Sequence, residues 1–188
     1  MSNVLLAWEL GAGLGHAGRL KPLAIELRAR GHRVSMALRD LVHTRRLLSD
    51  LSVPRLQAPA WLHKSVGAPA AAASLAEILL GYAYLDADAL EGLVLGWRDL
   101  ISLTSADVVV TDYAPTAVAA ARMLGVATVA VGPGFWVPPA GRPLPSIRDW
   151  ATLPEGRLCR ACFDGQYPVP VGEDDRGKHV LDGLGVRP

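Results

Sequence analysis

Cysteine is scarce in this sequence, and its scarcity argues against two kinds of stabilising site. Only Cys159 and Cys162 occur among the 188 residues, which is too few for a disulfide framework and agrees with a reducing compartment. A zinc site is poorly supported as well, because Cys159, Cys162 and His179 would supply three ligands where a structural zinc takes four. We interpret both cysteines as incidental and expect no metal.

An excess of charge of one sign is also lacking. The 19 lysines and arginines nearly balance the 18 aspartates and glutamates, for a formal net charge of +1. Such a chain has no basic field of the kind that binds phosphate backbones, so nucleic acid is not an expected partner.

Long hydrophobic runs of the kind that target or anchor a protein are missing too. The start of the chain has no basic residue before its first apolar run, Val4 to Trp8, and that run is too short for a signal peptide. In the most apolar stretch, Gly67 to Leu85, Pro69 and Glu77 argue against a transmembrane helix. We expect a cytoplasmic protein whose contact with a membrane, if any, is peripheral.

What the sequence does contain is an alternation of strand and helix patterns. The apolar run Val4 to Trp8 is followed by a glycine-rich stretch, by leucines at helical spacing, by Gly31 and by a second apolar strand up to Leu38, which indicates a βαβ unit. Further elements are predicted at 41–48 (helix), 54–57 (strand), 74–103 (largely helix), 107–111 (strand), 115–124 (helix) and 126–131 (strand). This order predicts an α/β fold with a doubly wound, Rossmann-like parallel sheet of at least four strands.

The pattern changes towards the end of the chain. Residues 1–150 are predicted to form one Rossmann-like domain, whereas residues 151–188 show neither helical nor strand periodicity and are predicted to form an irregular tail. We treat this tail as a remnant of an interdomain linker, or as the product of a shift in the coding frame near Arg157.

Two polar residues fall at the edge of the sheet where ligands bind in such folds, beyond the carboxyl ends of the strands. His16 lies in the glycine-rich loop after the first strand, and Asp112 directly follows the strand at 107–111. A histidine can accept a proton near neutral pH, and a carboxylate on its other ring nitrogen fixes the tautomer. From spacing alone, the two residues could equally cap the helices that follow them.

The residues around His16 resemble the N-terminal signature of the GT-B glycosyltransferases, which include UDP-glycosyltransferases, macrolide glycosyltransferases and the peptidoglycan GlcNAc transferase. The matching residues are Gly15-His16, Arg19, Lys21-Pro-Leu-Ala24, Leu27 and Arg30-Gly-His-Arg-Val34, and a second match runs from Ala106 to Val126. The short motif Trp8-Glu-Leu-Gly11 also resembles the corresponding segment in a group of bacterial glycosyltransferases. The resemblance covers residues 3 to about 150, with one departure: Arg19 stands where many relatives have proline. Because Pro22 comes later, we expect the helix to begin near Arg19.

The resemblance implies a role for each matching residue. It identifies this chain as the acceptor-binding half of an enzyme that moves a sugar from a nucleotide-sugar such as a UDP-sugar to a hydroxyl of a small molecule or lipid. His16 would be the general base and Asp112 the residue that orients it. Substrate-binding roles are expected for Gly13, Gly15, Arg19, Trp61, Tyr82, Trp97 and Phe135. No cofactor is expected beyond the nucleotide-sugar co-substrate, and the C-terminal domain that binds this donor in the family is missing from the sequence, so the isolated half could be inactive.

Two other functions stay open. Gly13-Leu-Gly15-His-Ala-Gly18 satisfies the GxGxxG pattern of NAD(P)-binding domains, with Asp40 about 20 residues further on. Against it, the first strand stops well before Gly13, and a helix that began near Arg19 would lie away from a pyrophosphate at Gly15. A binding module without catalysis is the third possibility, since the donor half is missing.

Overall fold

Five strands and five helices occur in the part of the chain that the structure, a computed structural model, describes: residues 1–63, 65 and 75–132. In chain order they are β1 (Asn3–Trp8), α1 (Gly15–Ala29), β2 (Arg33–Leu38), α2 (Leu41–Leu47), β3 (Arg55–Gln57), α3 (Leu75–Leu80), α4 (Ala87–Leu103), β4 (Val108–Thr111), α5 (Pro115–Met123) and β5 (Ala127–Ala130). The predicted tail at 151–188, the shift of frame near Arg157, Cys159, Cys162 and Phe135 lie outside the described residues.

All strands are parallel and pair in the order β3-β2-β1-β4-β5. The prediction of a doubly wound α/β sheet is therefore confirmed. β1 is the central strand, and its apolar run is buried from Val4 to Trp8, as expected for a parallel strand covered on both faces. The strand order reverses between β1 and β4, and the crevice outside their carboxyl ends is where folds of this class bind ligands.

Successive side chains of β1 point to opposite faces of the sheet and pack into two separate cores. Val4, Leu6 and Trp8 pack with Leu20 and other buried residues of α1 on one face. Leu5 and Ala7 pack with Trp97 of α4 and with the small residues of α5 on the other face. The helices that follow β1 and β4 thus lie on opposite faces of the sheet, which opens the crevice between them.

Helix α1 begins at Gly15, four residues before the predicted start at Arg19, and Pro22 lies inside it. The predicted start was wrong because this helix tolerates a proline in its interior. Proline lacks an N–H, so the carbonyl of Gly18 loses its usual intrahelical donor, but Gly18 and Pro22 are both on the exposed side of the helix, where water can replace that donor. On the opposite side of the helix, Ala17, Leu20, Ala24 and Leu27 are buried.

The segment predicted as largely helical at 74–103 forms two helices, α3 and α4, with a turn between them. The side chain of Asp86 ends this turn by accepting a hydrogen bond from the N–H of Ala89 at 3.0 Å, which caps α4. Within the described ranges, none of the helices has the length and hydropathy needed to cross a bilayer.

Helix α5 carries the segment after Asp112 and is capped from another part of the chain. Its N-cap residue, Ala114, has no side chain that can bond the helix. The carboxyl group of Glu9 fills this role: Oε2 accepts the backbone N–H of Thr116 at 3.0 Å, and Oε1 accepts the Thr116 hydroxyl at 2.5 Å. Glu9 is 1% exposed, and burial raises its pKa to about 7 although the Thr116 hydrogen bonds and the charge of Arg39 oppose the shift.

The raised pKa of Glu9 gives the stability of the protein a particular pH dependence. The folded state keeps the proton on Glu9 up to about pH 7, whereas the unfolded state loses it near pH 4.5. The contribution of this proton to the free energy of unfolding is therefore complete below about pH 4.5 and is lost as the pH rises through about 7. We expect the free energy of unfolding of the wild type, relative to that of Glu9→Gln, to fall by up to about 3 kcal/mol over this range. Urea unfolding of both proteins at about pH 5 and about pH 8 measures it. A difference that does not change with pH would contradict the assignment.

Candidate active site

The two residues singled out from the sequence lie together at the point where the strand order reverses. His16 is in the first turn of α1, which follows β1, and Asp112 is the first residue after β4. The backbone N–H of Asp112 donates to the carbonyl of Ala7 at 2.8 Å, so the pairing of β1 with β4 continues up to the site. The chain segments that bear the two side chains are thereby fixed to each other.

The side chains of His16 and Asp112 are hydrogen-bonded. Nδ1 of His16 lies 2.9 Å from Oδ1 of Asp112; the histidine side chain is 8% exposed and the aspartate is fully buried. Neither residue caps a helix, because the N-cap residues of α1 and α5 are Leu14 and Ala114. The capping interpretation of this pair is therefore wrong. With Nδ1–H donated to the carboxylate, Nε2 is the ring nitrogen that can accept a proton.

Arg19 is a second partner of the same carboxylate, and it is cationic. Its Nε donates to Oδ2 of Asp112 at 2.7 Å and its Nη2 to Oδ1 at 3.2 Å, a bidentate fork of the kind that suits a carboxylate. Nη2 also lies 3.1 Å from Nδ1 of His16; because Nδ1–H points to Asp112, we treat this as a contact between donors. Burial alone would raise the pKa of Asp112, but the hydrogen bonds from His16 and Arg19 and the positive charge of Arg19 hold this pKa below its ordinary value.

Two aromatic rings stack on the imidazole of His16. The ring centroid of Trp8 lies 5.3 Å away with an interplanar angle of 16°, and that of Tyr113 lies 6.0 Å away at 27°. Trp8 is itself fixed, because its indole N–H donates to the carbonyl of Leu10 at 2.7 Å. These contacts restrict the rotation of the imidazole and leave Asp112 to fix its tautomer.

Tyr113 has an unusual backbone conformation. Its φ of +57° lies in the left-handed region, which costs a residue other than glycine about 1–2 kcal/mol. The N–H of Leu10 donates to the carbonyl of Tyr113 at 2.9 Å, which helps to hold this conformation. The strained residue joins Asp112 to the start of α5, and strain of this kind is often found at functional sites.

Gly11 makes room for the histidine. A Cβ atom at this position would lie 2.7 Å from Nε2 of His16 and 3.3 Å from the ring of Tyr113, and its φ is +83°. Only glycine meets both demands without strain. The backbone of the loop therefore approaches the imidazole at the nitrogen that faces away from Asp112.

The remaining residues predicted to bind substrate lie in four different places. Gly13 and Gly15 are exposed in the loop and at the start of α1, and Tyr82 packs against the cluster of Leu10, Leu79 and Tyr113 beside the histidine. Trp61 contacts His63, with ring centroids 5.1 Å apart. Trp97 is fully buried in the core beneath the sheet, where its ring presents no surface to a ligand in the described part of the chain.

Four residues that shape the site were not assigned to it from the sequence: Trp8, Glu9, Gly11 and Tyr113. A signal did exist for Glu9, because a carboxylate directly after a central buried strand must find partners in the fold. No signal of that kind marks Tyr113, whose φ depends on the tertiary structure. No group of three or more potential metal ligands occurs among residues 1–63, 65 and 75–132.

Comparisons with known proteins find similarity at the level of solved structures. No protein-family model matches the chain, and no curated protein matches it. MurG from Acinetobacter baumannii is 18% identical with a TM-score of 0.49, over 68% of this chain and 34% of the other. The glycosyltransferase of kitacinnamycin is 19% identical with a TM-score of 0.47, over 69% and 29% of the two chains.

CalG4, the calicheamicin glycosyltransferase, is 16% identical with a TM-score of 0.47, over 98% of this chain and 42% of its own. These likenesses concern the fold alone. The chain spans between 29% and 42% of the length of these three glycosyltransferases, to which it is similar in fold.

Proposed function

We propose that this chain is the acceptor-binding half of a glycosyltransferase, with His16 as the general base. The observation that carries the proposal is the buried hydrogen bond between Nδ1 of His16 and Oδ1 of Asp112 at the point where the strand order reverses. A histidine oriented in this way is suited to take a proton from a hydroxyl group near neutral pH.

The proposed reaction is a single displacement. Nε2 of His16 takes the proton of the acceptor hydroxyl as its oxygen attacks the anomeric carbon of the sugar. A bond forms between that oxygen and the anomeric carbon, the bond from this carbon to the diphosphate breaks, and the nucleoside diphosphate leaves with the electron pair. The proton remains on His16 until it passes to solvent.

Asp112 stabilises the imidazolium that this step creates. Its carboxylate is ionised at neutral pH because its pKa is lowered, so it offers a fixed negative charge 2.9 Å from Nδ1. Arg19 holds the same carboxylate in place but brings a positive charge close to the imidazole. In this proposal the role of Arg19 is geometric, because its fork of two hydrogen bonds holds the Asp112 carboxylate in place beside His16.

The nature of the two substrates is a further part of the proposal. The nucleotide-sugar donor rests on the sequence resemblance around His16 and Asp112, and groups of a second domain would bind most of it. The acceptor would lie near Tyr82 and Tyr113, which pack together with Leu10 and Leu79 at this edge. Aromatic and apolar surface beside a polar pair is suited to a small apolar molecule that bears a hydroxyl group.

Binding of a dinucleotide is the competing function, and one finding favours it. Helix α1 begins at Gly15, close to where a pyrophosphate would bind, so the argument from a late helix start no longer applies. Against it, the space at Gly11 is filled by the imidazole of His16. Asp40, which would have to bind a ribose, caps α2 through His43 N–H at 2.9 Å and bonds Nδ1 of His43 at 2.6 Å.

Replacing the base should abolish transfer. In the gene product that carries this chain, assayed with UDP-sugars and a panel of phenols and alcohols, we expect His16→Ala to lower kcat/KM by about 10²- to 10⁴-fold. Asp112→Asn should have a smaller effect, since orientation is lost but the base remains. A matched control is His43→Ala, which removes a histidine from the exposed pair with Asp40 and should leave the rate unchanged. Wild-type turnover by His16→Ala would remove this residue from the mechanism.

Calorimetric titration separates the two functions. We expect weak binding of both UDP and NAD to this chain, because most donor contacts in the proposal lie outside it. Tight binding of NAD that His16→Ala leaves intact would instead favour the dinucleotide-binding function.

The two glycines of the loop provide a further test of the site. Gly11 and Gly13 have similar φ values of +83° and +86°, but a Cβ at Gly13 would meet no atom within 4 Å. Gly11→Ala and Gly13→Ala should therefore share a backbone cost of about 1 kcal/mol, seen in urea unfolding. Only Gly11→Ala should also displace the imidazole, shift the His16 ring signals in a proton–carbon NMR spectrum and lower transfer. Equal spectra for both variants would show that Gly11 does not set the position of His16.

A further inference from the structure

The start of α5 has a proline in its first turn but no side-chain cap of its own. Ala114 at the N-cap has no side-chain acceptor, and Pro115 follows it. Immediately before them lies Tyr113 with its φ of +57°, and before that Asp112, the partner of His16. The segment that places Asp112 therefore combines a strained residue with a helix start that its own side chains leave uncapped.

Glu9 supplies the missing acceptors from 107 positions earlier in the chain. Both oxygens of its carboxyl group accept hydrogen bonds from Thr116, one from the backbone N–H and one from the hydroxyl. Thr116 is in turn 3.1 Å from the hydroxyl of Tyr84. The Glu9 carboxyl group and Thr116 are both buried, so these bonds satisfy polar groups that water does not reach.

The backbone of Glu9 and its two neighbours in the chain are also held by contacts. Glu9 directly follows Trp8, which stacks on His16, and its backbone carbonyl accepts a hydrogen bond from Nη1 of Arg39 at 2.7 Å. The next residue, Leu10, donates its N–H to the carbonyl of Tyr113. Within this segment, Trp8 thus contacts His16, Glu9 caps α5, and Leu10 bonds the strained Tyr113.

We propose that Glu9 is a positioning residue for the His16–Asp112 pair. By capping α5, Glu9 fixes the start of this helix, and with it the position of Tyr113 and Asp112 relative to His16. Its effect on a rate rests on the proposed function. Its effect on the geometry of the pair does not, and can be measured on the chain alone.

The test uses the Nδ1–H proton of His16 as a reporter of its bond to Asp112, observed by NMR in the nitrogen-15-labelled chain. In the wild type this proton is donated to a buried carboxylate, and we expect a resolved signal that exchanges slowly with water. In Glu9→Ala the cap is lost, and the signal should vanish or its exchange should accelerate by about tenfold or more. In Glu9→Gln the amide can still accept from the Thr116 N–H and donate to its hydroxyl, so the signal should return.

A loss of stability alone could mimic this result, so the control removes a cap elsewhere. Asp86→Ala deletes the side-chain cap of α4, a change of the same chemical kind on a helix that bears neither His16 nor Asp112. It should lower the free energy of unfolding but leave the His16 signal in place. If Glu9→Ala behaves in the same way as Asp86→Ala, Glu9 is merely structural and the proposal is overturned.

A second variant decides the matter if Glu9→Ala does not fold. Thr116→Val removes the hydroxyl bond to Glu9 but keeps the backbone N–H bond, so we expect a folded protein with an intermediate rate of exchange at Nδ1. An unchanged signal in Thr116→Val would then contradict the proposal. In the transfer assay, Glu9→Ala should lower kcat more than it changes KM, and Glu9→Gln should restore kcat. If the Nδ1–H signal of His16 is the same in Glu9→Ala as in the wild type, the positioning role is refuted, whether or not His16 proves to be the base.

Discussion

The burial of the Asp112 carboxylate is the constraint to which the rest of this edge of the protein conforms. A carboxylate that is fully buried costs several kcal/mol unless its oxygens are bonded and its charge is balanced. Here the imidazole of His16 and the guanidinium of Arg19 meet both needs. Both partners come from the first turns of α1, so the carboxylate fixes that helix against β4 as well as orienting the histidine.

Two carboxyl groups at the same edge of the sheet are driven in opposite directions by their surroundings. Asp112 has two hydrogen-bond partners, one of them the cationic guanidinium of Arg19, and a lowered pKa, whereas Glu9 faces mainly neutral donors and has a raised pKa. Such a division separates a permanently charged group from one that titrates near neutral pH. The two acids are coupled through only three residues, because Tyr113, Ala114 and Pro115 join Asp112 to the helix turn that Glu9 caps.

The fold could be predicted from the sequence because its signals are local. Short apolar runs that alternate with helical spacing, and glycines such as Gly31 at a helix end, depend on neighbours in the chain, and they predicted the parallel sheet. The meeting of His16 and Asp112 followed from the rule on strand ends together with the family resemblance. The start of α1 and the role of Glu9 could not be predicted, since the first depends on which side of the helix is exposed at Gly18 and the second on a partner 107 positions away.

The separation of the pair along the chain has a consequence for how the protein folds. His16 and Asp112 are 96 positions apart, and closing a loop of that length costs about 4 kcal/mol of chain entropy before any constant term. Contacts of such long range form slowly and depend on the docking of β4 beside β1. A chain in which only the first β-α-β unit has formed would hold His16 without Asp112, so the pair at this edge is assembled only when β4 completes the centre of the sheet.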